Sequence, residues 1–153
     1  MIVLLARRLP ATRRVEIESH AEQPVGWTGT GAGSVDARVE SPGRIVFVEQ
    51  GRFVPSRMVR PLVFANTLCW TVAAERIVLA HRRAVAEPVR LVEFRACDGG
   101  TARQSLHAVT PHLCGRDRYE ARIRLTAFGF ELCWTVTGPG KHYRLRHRYY
   151  SGA

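Results

Sequence analysis

Apolar and polar side chains alternate along this chain with a period of two, and the pattern recurs from one segment to the next. From Asp117 the sequence reads D-R-Y-E-A-R-I-R-L: Asp117, Tyr119, Ala121, Ile123 and Leu125 share one face, and Arg118, Glu120, Arg122 and Arg124 the other. From Tyr143 it reads Y-R-L-R-H-R-Y, which sets Tyr143, Leu145, His147 and Tyr149 against Arg144, Arg146 and Arg148. Alternation of this kind marks a strand with one face on a core and the other in water. Helical periodicity is sustained nowhere.

Other segments follow the rule. Ile77, Leu79, His81 and Arg83 share a face, as do Trp27, Gly29, Gly31, Gly33, Val35, Ala37 and Val39. The glycines of the second set allow a long strand to bend sharply. Segments 12–19, 44–54, 61–73, 89–96, 105–110 and 128–137 complete a set of about nine or ten strands. Their short connections predict antiparallel neighbours, and a sheet this wide removes its exposed edges best by closing. The expectation is an all-β fold: a single up-and-down antiparallel barrel of about 8–10 strands, with residues 1–153 as one domain. A two-sheet sandwich is the alternative.

Composition narrows the class further. A chain of 153 residues can close a core without metal or disulfides, and 46% apolar residues is too many for a disordered one. No apolar run approaches the ~20 residues of a membrane helix, and the opening MIVLLARRLP is too short a stretch for a secretory signal. The four cysteines form no C-x-x-C pair, which removes the main support for zinc-ribbon and thioredoxin-like readings. A reduced, cytoplasmic protein is expected. The formal charge is +10, and all but one of the 23 basic residues are arginine, as a GC-rich genome produces. That excess attracts anions in general and does not single out nucleic acid. The one lysine, Lys141, raises the question of what a compact ammonium does that a guanidinium cannot.

The run His112-Leu-Cys114-Gly-Arg-Asp117-Arg-Tyr119, followed by Gly138-Pro139-Gly-Lys141-His-Tyr143, resembles an uncharacterised bacterial domain-of-unknown-function family. Its pattern is H-x-C-x-x-D-x-Y, a Trp-containing strand, then G-P-x-K-x-Y and a closing strand ending in aromatics. Trp134 and Tyr149 stand at the matching places, and Trp27-x-Gly29-x-Gly31 and Glu49-x-Gly51 extend the likeness upstream. The departures are Gly140, where a basic residue is common, His142, where an acidic one is usual, and His81-Arg82-Arg83, where Asp-Gly-Arg and Phe-His elements are absent. The resemblance implies a calycin- or lipocalin-like barrel with a polar interior, and no known substrate.

A meander returns alternate turns to the same end of a barrel. Counted from a far-end hairpin at 126–129, this brings Glu49, His81, Arg83, Asp117, Tyr119 and Lys141 to one mouth, with His112 on its rim and Trp27 nearby. Inward charges are costly unless paired or functional, and a concave apolar site with a few polar groups is the usual small-molecule pocket. Arg83 and Lys141 are then expected to hold the carboxylate or phosphate of an anionic, partly apolar ligand. Trp134, Tyr143 and His147 supply the wall, and Trp70, Phe47 and Phe130 the core or wall. If the site is catalytic, His112 oriented by Asp117 is the general base, with Tyr119 or Lys141 as proton donor or oxyanion stabiliser. Isomerisation, cyclisation or dehydration suits a site with no evident nucleophile.

Each residue also has a structural reading. Asp117 can simply accept backbone hydrogen bonds or pair with an arginine, and Tyr119 and His147 can be core residues. Lys141 can be a solvated turn residue, and His112 can serve only to clasp its loop. His112-x-Cys114 has no matching second pair in His81, His107 or Cys97, so no metal site is expected. A cysteine nucleophile at Cys114 has poor geometry for a base only two residues away. Haem held through His147 or His112 is an alternative ligand. Nucleic acid on the outward arginines 118, 122, 124, 144, 146 and 148 is the disfavoured partner, because that face lacks stacking aromatics. The sequence specifies no cofactor and no oligomeric state.

Overall fold

The computed structural model describes residues 1–22, 27–58, 60–83, 87–96 and 105–152. Its strands are β1 (Thr12–Ala21), β2 (Gly29–Ser41), β3 (Arg44–Pro55), β4 (Leu62–Val72), β5 (Ile77–His81) and β6 (Val89–Ala96). They continue with β7 (Ser105–Ala108), β8 (His112–Cys114), β9 (Asp117–Leu125), β10 (Gly129–Gly138) and β11 (Lys141–Ser151). Neighbours pair antiparallel in the order β10-β11-β1-β2-β3-β4-β5-β6-β7-β9, and β9 returns to β10. The result is a closed ten-stranded barrel.

The segment expected as a strand at 105–110 is shorter, Ser105–Ala108, and an eleventh strand follows it at His112–Cys114. β7 pairs with the end of β9 near Arg124, and β8 with its beginning near Asp117. The two short strands lie along one edge of β9, separated by a kink at 109–111, and His112 lies in β8 opposite Tyr119. Cys97 and residues 84–86, just after Arg83, fall outside the described residues.

One element corrects the all-strand reading. Ile2–Arg8 is a short helix, α1, continued by a 3-10 turn at Leu9–Ala11. Ile2, Leu5 and Leu9 are spaced three and four apart and are all buried. Two turns are too few for a periodic signal to stand out in sequence. Arg7 and Arg8 occupy the last turn, where cations suit the helix dipole. The Arg8 guanidinium donates to the carbonyls of Thr126 and Gly129, which ties the helix to the β9–β10 hairpin at the far end of the barrel.

Barrel curvature depends on bare backbone at β2 and β3. Gly33 faces Gly51 across the pair, and Gly51 faces Phe64 on β4. A Cβ on Gly51 would stand 2.7 Å from the Gly33 Cα and 2.7 Å from the Phe64 ring tip. The ring thus lies over the glycine opposite it, as in sheets that coil tightly. Gly51→Ala is expected to cost about 2 kcal/mol through overpacking. Tm should fall by about 6 °C; an unchanged melting curve would count against this account.

Inward-facing rings close the lower half of the tube. Phe130 stacks on Tyr149 with centroids 4.6 Å apart, and Phe47 lies 5.7 Å from both Trp70 and Tyr149. Trp70 meets Phe130 edge-on at 5.8 Å. All four rings are essentially inaccessible to solvent. Outside, the arginine rows are interleaved with glutamates: Arg118 with Glu120 (2.6 Å), Arg124 with Glu131 (2.8 Å), and Arg148 between Glu131 (3.2 Å) and Glu18 (3.4 Å).

Candidate functional site

Above the aromatic floor the barrel holds an open cavity of about 290 Å³. Its apolar lining comes from Leu68, Leu79, Leu91, Leu132 and Leu145, with Trp134 as the large wall residue. Its polar lining comes from Glu49, Asn66, His81, His112, Tyr119 and His147, with Cys114 at its edge. Strand parity puts them there. Glu49 stands opposite Asn66 across β3–β4, and His147 lies on the inward face of β11 opposite Leu132 and Ile17. Two larger depressions, about 630 and 660 Å³, lie against the outer charged rows, and arginines and glutamates are among the residues that line both.

Glu49 is fully buried. One carboxyl oxygen accepts a 2.7 Å hydrogen bond from the Tyr149 hydroxyl, and the other a 3.4 Å bond from the Asn66 amide. Among the described residues no arginine, lysine or histidine forms an ion pair with it. Loss of solvent pushes its carboxyl above the ordinary range, and the two neutral hydrogen bonds offset only part of that rise.

His147 behaves oppositely. Burial pulls its imidazole down to about 4, so it is neutral at neutral pH. Its Nδ1 is buried without a hydrogen-bond partner, and its ring meets Tyr149 edge-on at 6.2 Å. Higher on the wall, His112 lies 5.9 Å from Tyr119, and Tyr119 lies 6.5 Å from Trp134, both edge-on. Tyr143, beside Tyr119, has its phenol pushed up to about 12, first by burial and then by that neighbour.

The expected opening thus divides into parts. Glu49, His81, His112, Tyr119, Trp134 and His147 line one cavity. Asp117 and Lys141 stand at the rim as an ion pair of 2.6 Å, with Gly138 packed against the carboxylate. Asp117 is therefore engaged by the lysine, and the supposed His112–Asp117 partnership does not form. Lys141, held above its usual pKa by that carboxylate, is tied at the turn and does not line the lumen. Arg83 is exposed and also absent from the lining. Trp27 is 59% exposed and lies 6.4 Å from Phe53, away from the lumen. The two cations that suggested an anionic ligand thus both stand outside the cavity.

Sequence reasoning missed Asn66 and the role of Tyr149. The signal for Asn66 was available: Leu62, Phe64, Asn66, Leu68 and Trp70 share one parity, and a lone amide on an apolar face needs a partner. Tyr149 is legible as an inward aromatic, but its bond to a residue one hundred positions away in the chain is not.

Three comparisons bear on these features. A family model described as "Family of unknown function (DUF6314)" matches residues 10–151. The solved structure of EF1p2_mFAP2b bound to DFHBI is similar over 99% of this chain and 100% of that one, with a TM-score of 0.52 and 12% identity. A redesigned β-barrel, mFAP1, bound to DFHBI, covers 94% of this chain and 97% of its own, with a TM-score of 0.42 and 17% identity. No curated protein matches the chain.

Proposed function

The chain belongs to the DUF6314 family, and from that footing we propose that it binds a small, largely apolar molecule inside the barrel, with the ligand's polar end among Glu49, His81, His112 and His147. The observation that carries this reading is the cavity of about 290 Å³ at the barrel mouth, in which leucines and aromatic rings surround Glu49, His81, His112 and His147. That volume is at the small end of ordinary ligand sites, so it suits a compact molecule more than a macrocycle such as haem. EF1p2_mFAP2b, a barrel of the same fold, has a structure bound to DFHBI, which supports a ligand-binding reading of the architecture. An anionic ligand end keeps support only at the rim, near the Asp117–Lys141 pair. Glutamates pair with several of the exterior arginines, which weakens the case for nucleic acid on that face.

Occupancy of the lumen is tested by filling it. Naphthol or indole, titrated by fluorescence or NMR, is expected to bind the wild-type protein at least about tenfold more tightly than Leu79→Trp or Leu132→Phe. Leu113→Trp, on an exposed site, should bind like wild type. Equal affinity in the two filled variants, each folded by its melting curve, would place any binding elsewhere.

A second reading, general acid–base catalysis, is favoured by one observation. Glu49 and His147 share a cavity that moves their proton affinities in opposite directions, an arrangement that assigns acid and base roles in tuned sites. The expected base thereby moves from His112 to the lumen floor. Isomerisation, cyclisation or dehydration of a bound carbonyl compound remains the reaction class. Deuterium exchange at the methyl of bound acetophenone, followed by NMR in heavy water, should be accelerated by wild type and lost in Glu49→Gln. Exchange at the rate of buffer alone would remove the catalytic reading and leave binding intact.

A further inference from the structure

Three glutamates are buried in the described structure, and the chain treats one of them differently from the others. Glu93 lies within 3.6 Å of Arg76, 2.8 Å of Arg90 and 3.0 Å of Arg95. Glu131 lies 2.8 Å from Arg124 and 3.2 Å from Arg148. Glu49 is the most deeply buried of the three, and among the described residues it has no cationic partner. A protein with a formal charge of +10 does not lack arginines to supply one. Burying a carboxyl with only neutral donors is costly, and removing it from the core is the simpler solution unless its charge is used.

Resting on the lumen-binding reading above, we infer that the ligand is a small lipophilic amine, whose ammonium group meets Glu49 while its hydrocarbon part lies against Trp134, Tyr119 and the leucines of the wall. The geometry around Glu49 suits such a guest. Tyr149 and Asn66 fix the carboxyl from two sides, so it is held in place before a ligand arrives. Tyr119 and Trp134 line the same cavity, and aromatic rings attract cations through their quadrupole. His147, the titratable group nearest the floor on β11, is neutral at neutral pH and does not compete for the site as a cation. A charge-assisted hydrogen bond to a carboxyl as buried as Glu49 is stronger than the same contact in water. The net positive charge opposes entry of a cation, but salt screens it beyond about 8 Å, and several exterior arginines are paired with glutamates.

The test uses three molecules of nearly one shape: phenethylamine, phenethyl alcohol and hydrocinnamate, titrated calorimetrically into the full chain near pH 7.5. The amine is expected to bind at least about tenfold more tightly than the alcohol, and the acid least of all. In Glu49→Gln the amine should lose that preference while the alcohol keeps its wild-type affinity; Tm of the variant confirms that it folds. Loss of solvent raises the Glu49 carboxyl and an ammonium partner opposes that rise, so amine binding measured in buffers of different ionisation enthalpy should show proton release that Glu49→Gln lacks. If the alcohol binds as well as the amine, or the acid binds best, the amine inference fails and the lumen-binding reading stands. If none of the three binds but indole does, the lumen takes a different class of guest and this inference is wrong. If nothing binds, both readings fall.

Discussion

His147→Leu should gain stability relative to wild type as pH falls from 6.5 toward 4, by about 3 kcal/mol over the whole interval. The imidazole ordinarily takes its proton near 6.5, and in the barrel burial delays this to about 4. Between those values the unfolded chain binds a proton that the folded chain refuses, so acid favours unfolding. Leucine has a similar size, meets Leu132 across the β10–β11 pair, and removes the buried Nδ1 that lacks a partner. For a domain of this size the difference in Tm between variant and wild type should widen by about 10 °C. The window above 4.5 isolates the effect. Glu93 and Glu131, whose arginines hold them below their ordinary pKa, contribute stability that is lost only as pH falls below that point. A Tm difference that stays constant from pH 7 to 4.5 would show that His147 is already solvated in the folded protein.

How much of this arrangement was legible in the sequence depends on the range of the interaction. Strand parity is local, and it placed Tyr119 and His147 on inward faces from their immediate neighbours alone. Closure of the tube followed from strand number. The pairing of Asp117 was not local: Lys141 reaches it across the β10–β11 turn at 2.6 Å, whereas His112, closer in sequence, points toward Tyr119. Distance along the chain was the wrong guide, because Lys141 stands next to Asp117's cross-strand neighbours once β9, β10 and β11 align. Arg83 failed for a related reason. Arg83 lies two residues past the end of β5 at His81, where alternation no longer fixes a direction. The helix at the N-terminus was missed because its role is to close the end of the barrel, and only the finished barrel shows that this end needs closing.

Glu49→Gln is expected to show the mirror image of the histidine effect. Burial raises the carboxyl's pKa, so from 4.5 upward the unfolded chain releases a proton that the folded chain retains. Wild-type stability is lost at up to about 1.4 kcal/mol per pH unit until the raised pKa is reached, and the uncharged glutamine removes that slope. Glutamine can still accept from Tyr149, so the variant should melt higher than wild type at pH 8 by a margin that shrinks on acidification. The two slopes have opposite signs. Where they overlap, between 4.5 and 6.5 and below the raised value of Glu49, folding moves one proton from imidazole to carboxylate with no net uptake. Wild type should therefore look nearly insensitive to pH there, although two buried groups are titrating. Each single variant unmasks the other group: stability should rise toward acid in His147→Leu and fall toward acid in Glu49→Gln, and the double variant should be flat again. Thermal melts at half-unit steps decide this. If both singles follow the wild-type profile, neither group is held in the protonation state that the lumen imposes, and a closed, poorly solvated interior is not what this barrel provides.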